Sequence, residues 1–229
     1  MSEEIKQYLG QGREGVVTYM LRSCDENMSA YGGFTWPQSG AVECPDWNPR
    51  QECGNGLHGL LMGVGGAALT AQDDPTAKWL VCAVWSADVV DLGDKVKVPR
   101  AWVTFCGARD AAVAEIMRLG AVAPIYGTAT AGDAGTATAG DGGTATAGYG
   151  GTATAGYAGT ATAGDRGTAT AGYAGTATAG YGGMICIKRW NGNRYRMVVG
   201  HIGEDGLLPN VSYRLDEDGS FIRAKPEPG

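Results

Sequence analysis

From Gly127 to Gly182 the chain contains no histidine, cysteine, serine, lysine or glutamate. About a quarter of the protein therefore lacks the side chains that usually supply nucleophiles, bases and metal ligands, so almost no catalytic chemistry can reside there. Basic residues are also in deficit: 18 Lys and Arg face 24 Asp and Glu, giving a net charge of -6 and a pI near 4.9. A nucleic-acid-binding surface would normally be basic, and none is expected. No apolar run approaches the roughly 20 residues of a membrane-spanning helix. The start, Met-Ser-Glu-Glu-Ile-Lys, lacks the basic-then-apolar layout of a signal peptide, so a cytoplasmic location is expected. The six cysteines, Cys24, Cys44, Cys53, Cys82, Cys106 and Cys186, show no CxxC spacing and are expected to be reduced, buried thiols. No metal and no cofactor is expected.

What fills the histidine-free stretch is seven octapeptides, each beginning Gly-Thr-Ala-Thr-Ala-Gly. Only the last two positions vary. The seventh is Asp133, Asp141, Tyr149, Tyr157, Asp165, Tyr173 and Tyr181; the eighth is Ala, Gly or, once, Arg166. A short fixed period gives every unit the same neighbours, which is the signature of a stack rather than a globule. Thr-Ala-Thr-Ala alternates with period two, and the residues after it form a corner. Two octads make a sixteen-residue coil with two flat sheets, and seven make about three and a half coils. After Gly182 the same phase places Ile185 and Ile187 at alanine positions, and Met184 and Cys186 at threonine positions. Larger apolar groups replacing alanine at the end of a stack fit a plugged core, so alanine is expected inside and threonine outside.

Residues 1–120 have the composition of an α+β head domain. A Ser2-capped helix through Tyr8 ending at Gly10, strands over Val16–Leu21, Gly33–Trp36, Lys78–Trp85, Lys95–Val98 and Ala101–Cys106, and a helix over Asp110–Leu119 are predicted. Ser39–Gly66, rich in Pro, Gly and Asn, is predicted as mostly loop with a helical turn near Leu57–Met62. Residues 121–182 form the octapeptide-repeat β-solenoid. Residues 183–229 read as an antiparallel β-hairpin cap, with hairpins around Asn191-Gly192 and Asp216–Gly219 and a frayed tail from Lys225 to Gly229.

The octad Gly143–Gly150, Gly-Thr-Ala-Thr-Ala-Gly-Tyr-Gly, resembles the octapeptide of bacterial ice-nucleation proteins, with Thr-x-Thr followed by Ala-Gly-Tyr. That resemblance covers about a quarter of the chain and implies a β-solenoid with outward threonine ladders that order water, and tyrosine ladders linked to pairing of solenoids. Here there are seven octads, the tyrosine positions are interrupted by Asp133, Asp141 and Asp165, and neither flank resembles those of an ice nucleator. The run from Gly33-Phe34-Thr35-Trp36-Pro37 through Cys53–Gly59 to Lys95–Pro99 instead resembles an uncharacterised domain of phage and bacterial proteins.

Four functions compete. The leading expectation is a non-catalytic interaction protein: a rigid solenoid binding a host protein or a second copy of itself, and serving as a phage-encoded effector against a host defence system. Alternation puts Asp133, Tyr149, Asp165 and Tyr181 on one edge of the coil and Asp141, Tyr157 and Tyr173 on the other, and a tyrosine-rich edge favours a homodimer. The alternative is ice binding through Thr128, Thr130, Thr136, Thr138 and their successors. Acidic mimicry of a duplex would need around ten charges over about 17 Å, whereas the octads supply three aspartates and one arginine. An enzyme in the head could use Cys53 and His58 as nucleophile and base, or hold a metal through them with Cys44 and Cys24, whose spacings match no zinc pattern. No membrane partner and no direct nucleic-acid binding is expected.

Overall fold

A computed structural model describes residues 2–10, 12–30, 33–66, 70–71 and 74–224. The expected tail from Lys225 lies outside them. Backbone contacts divide the chain into two compact units, residues 1–124 and 125–229.

The first unit is sheet-rich with two helices. Helix α1 (Glu3–Leu9) begins at Ser2, whose hydroxyl accepts from the Ile5 amide at 3.4 Å, and stops at Gly10. Strand β1 (Val17–Cys24) follows, then β2 (Gly40–Glu43), β3 (Leu57–Leu61), β4 (Lys78–Trp85), β5 (Val90–Asp91), β6 (Val96–Val98), β7 (Arg100–Gly107) and helix α2 (Arg109–Arg118). They form one seven-stranded sheet, ordered β2-β7-β4-β1-β3-β6-β5, with every pairing antiparallel. Strand β4 sits at its heart and is buried on both faces, as its unbroken apolar run Trp-Leu-Val-Cys-Ala-Val-Trp requires. Leu80, Cys82 and Val84 join Met20, Trp36 and Val98 on one side. Ala83 and Trp85 pack with Leu9 of α1 on the other, where α2 also lies against β1, β4 and β7.

Two sequence expectations fail here. Gly33–Trp36 is not a strand; Thr35 makes an isolated bridge to Ser29 within a tight excursion. Leu57–Met62 is not a helical turn. Flanked by Gly56 and Gly63, this segment fills the gap between β1 and β6, and the absence of a side chain at Gly59 lets the Met20 side chain and the Leu21 carbonyl approach closely. Asp88 accepts both terminal nitrogens of Arg13 at 2.8 Å.

The second unit is a β-solenoid of about four turns. Strands β8 (Thr128–Ala131), β10 (Thr144–Ala147), β12 (Thr160–Ala163) and β14 (Thr176–Ala179) stack in one parallel sheet. Strands β9 (Thr136–Ala139), β11 (Thr152–Ala155), β13 (Thr168–Ala171) and β15 (Met184–Trp190) stack in the other. Each residue pairs with the one sixteen positions later. Alanines from both sheets meet in the interior, joined at the end by Ile185, Ile187, Ile202 and Leu207. Strand β16 (Tyr195–His201) pairs antiparallel with β15, while β17 (Tyr213–Leu215) joins β14 and pairs with β18 (Phe221–Arg223).

The corners explain the variable positions. Each octad turns through a four-residue bend in which the amide of the next glycine donates to the carbonyl of the sixth residue at 3.0–3.1 Å. The eighth residue, third in that bend, is left-handed throughout, with φ between 51° and 63° from Ala134 to Gly182. The sixth must be glycine wherever another coil lies against it: a Cβ at Gly172 would collide with the backbone of Gly156 and Tyr157.

Candidate functional site

Two places in the molecule gather chemistry. The first is the outer surface of the solenoid. Because side chains alternate across a strand, burying the alanines aims every threonine outward. Thr128, Thr144, Thr160 and Thr176 stack in register, and Thr130, Thr146, Thr162 and Thr178 form a second ladder beside them. On the opposite sheet Thr136, Thr152 and Thr168 run into Met184, and Thr138, Thr154 and Thr170 run into Cys186. The first face carries four rungs, about 14 Å between its outermost strands, with the two ladders about 7 Å apart. Its last hydroxyl is withdrawn from solvent: Thr178 is buried and lies 2.8 Å from the Ser212 hydroxyl. The rest present a methyl and a hydroxyl at each lattice point, with no charge among them.

The edges hold the aspartates and tyrosines, and the aspartates act on the backbone. Asp133 Oδ1 accepts the Tyr149 amide at 2.9 Å, and Asp141 and Asp165 accept those of Tyr157 and Tyr181 at 2.8 Å. One column runs Asp133, Tyr149, Asp165, Tyr181, and the other Asp141, Tyr157, Tyr173. Tyr157 and Tyr173 stack with centroids 6.2 Å apart, and Tyr173 meets Tyr195 edge-on at 5.9 Å. The Arg166 guanidinium lies 5.8 Å from the Tyr149 ring.

The second place is a cleft of about 790 Å³ in the head, lined by Arg22, Trp36, Asp46, Cys53, His58 and Lys95 among others. Arg22 lies over the Trp36 ring at 4.7 Å and donates to the His58 carbonyl at 2.6 Å. His58 Nε2 accepts the Gly54 amide at 3.3 Å, which ties the loop before β3 to the strand. Burial first, then Lys95, Arg22 and Lys97, holds the imidazole below its usual pKa and keeps it neutral. An Nε2 already accepting a backbone proton is poorly placed to activate a thiol. Cys53 is exposed, contrary to the buried state expected of the cysteines, and Cys106 is only half-buried. Burial pushes the thiols of Cys24, Cys44, Cys82 and Cys106 up and away from thiolate reactivity. Among the described residues no three of His, Cys, Asp and Glu come together as metal ligands.

Sequence reasoning missed Arg22 and Lys97. Lys97 alternates with Val96 and Val98 and reads as solvent-facing, yet it is 1% exposed, its ammonium held by the Glu52 and Gly54 carbonyls at 2.7 and 3.1 Å. The only signal was a charge within a short apolar strand.

The profile of a domain of unknown function, DUF7666, matches residues 18–116, the stretch from β1 into α2. An ice nucleation protein of Xanthomonas campestris pv. translucens is 43% identical over 112 residues, 48% of this chain and 7% of that protein. Others, from Pseudomonas fluorescens and Pseudomonas syringae, are 40% and 43% identical over 99 and 93 residues, covering 42% and 39% of this chain and 8% of each relative. The chain thus spans less than a tenth of the length of these relatives. No solved structure matches. The second unit is therefore similar to the repeats of ice nucleation proteins. Two expectations give way. Relatives named for ice nucleation, an activity on freezing water, contradict a cytoplasmic location, and nothing in their names supports an effector against a host system.

Proposed function

We propose that this protein binds ice through the threonine faces of its solenoid. The observation that carries this function is the register: identical hydroxyl and methyl groups repeat at one rung per coil on a parallel sheet backed by a solid alanine interior. Such an array pre-orders a patch of water at little entropic cost, because β-branched threonine is stiff about χ1. The names of the relatives support the same reading. Four rungs make a small patch. Adsorption to existing ice is within its reach, whereas templating a new crystal needs an ordered area that grows with the embryo.

The test is partition of the purified chain into a slowly growing ice front, together with observation of crystal shape. Wild-type protein should enrich in ice and facet it. Thr144→Lys with Thr160→Lys, which places two hydrated charges at the centre of the four-rung face, should abolish enrichment if that face binds. The equivalent pair Thr152→Lys and Thr168→Lys interrogates the opposite sheet. Exclusion of the wild-type chain from ice, with unshaped crystals, would refute the proposal.

A further inference from the structure

Strand β16 ends its sheet, and nothing in the described fold blunts it. The β15–β16 ladder is bounded by the bonds Asn191 N to Arg194 O at 3.2 Å and Ile202 N to Gly183 O at 3.0 Å. Hydrogen-bonded pairs alternate along an antiparallel ladder, so even-numbered residues from Arg194 to Ile202 turn their amides toward β15. Tyr195, Met197 and Val199 then turn theirs to the free edge. Their side chains stand out of the sheet and are 52%, 46% and 48% exposed. Free edges are normally protected by lysine, proline or a bulge, and the outward positions of β16 carry none of these.

Charge distinguishes what fits there. Strand β16 starts at a basic end, with Arg194 and Arg196 exposed, and runs into an acidic turn, where Glu204 and Asp205 are exposed. An antiparallel neighbour of the same sequence lays its acidic turn beside this basic end, and its basic end beside this acidic turn. A parallel neighbour would set like charges together. We propose that two copies of this chain associate through β16, antiparallel about a two-fold axis near Val198, so that the two five-stranded sheets fuse into one. Such an interface is self-complementary and closes at two, because each copy spends its single β16 edge. Tyr195, Met197 and Val199 of both copies then form one apolar strip on the outer face. The inference is independent of ice binding, since molecular mass is measured without ice.

Light scattering on a dilution series of the full chain tests it. The wild type should reach twice 23.6 kDa at the concentrated end. Val199→Pro removes an amide that points to the free edge, so it spares the intrachain hairpin while blocking pairing, and should read 23.6 kDa at every concentration with an unchanged circular dichroism spectrum. Arg194→Glu alone and Glu204→Arg alone should each weaken dimerisation at least tenfold, and the two together should restore it. A wild type that stays monomeric, a Val199→Pro chain that still dimerises, or a double variant no better than the singles would overturn the assignment. Should Val199→Pro fail to fold, the charge pair decides alone.

Discussion

Replacing Ala158 by glycine should stabilise the second unit, and replacing Gly150 by alanine should destabilise it by a similar amount. Both residues occupy the eighth position of an octad, at φ of 51° and 62°. A Cβ in that region costs about 1–2 kcal/mol. Glycine gives back about 0.5–1 kcal/mol through its freer unfolded chain. The net effect is about 0.5–1 kcal/mol, or a shift of roughly 2–6 °C in Tm for a unit this size. The pair is clean because a Cβ on Gly150 would have no heavy atom within 4 Å, so its effect is confined to the backbone. By contrast, a Cβ on Gly142 would strike the Tyr126 ring, and Arg166→Gly would lose a contact with Tyr149. Urea titration followed by peptide-resolved hydrogen exchange isolates the octads from the head. Shifts of the same sign in the two variants, or none in either, would refute the account of the corners.

Ile185→Ala should cost about 2–5 kcal/mol, toward the upper end, because its 0% exposed side chain is walled by alanines that cannot expand into the void; exchange of the octad amides should accelerate while the head is unchanged. The head should respond to acid through His58, whose folded pKa lies below its ordinary 6.5. The unfolded chain then binds the proton first, so stability is full above pH 6.5 and falls as pH drops through the depressed folded value, and His58→Gln should flatten that slope in head unfolding.

The elements legible in advance were those in which one physical signal dominates. Lys78–Trp85 is a continuous apolar run with β-branched and aromatic residues, and only a strand buried on both faces uses it. A fixed eight-residue period admits little but a stack, and the solenoid was readable from that alone. Strand β3 was not, because Leu57–Leu61 is two leucine-containing fragments around a glycine, with no alternation of its own. Its partners β1 and β6 lie far away in sequence and supply the strand character. The head cleft was half visible. Cys53 and His58 stood out by residue type and do line it, but the arginine over Trp36 and the buried Lys97 are set by long-range packing that composition does not encode.

Because two octads complete a coil, the molecule has a parity. Adding sixteen residues of the same pattern would lengthen both faces by one rung and return Met184–Trp190 to the sheet it now extends. Adding eight directly after Gly182 would deliver that strand to the opposite sheet, and sixteen residues before Arg189 would then stand Tyr181 instead of Tyr173. Growth or loss of this array by whole turns therefore keeps its first and last strands on the sheets they now occupy, while any half turn carries its end across to the other sheet.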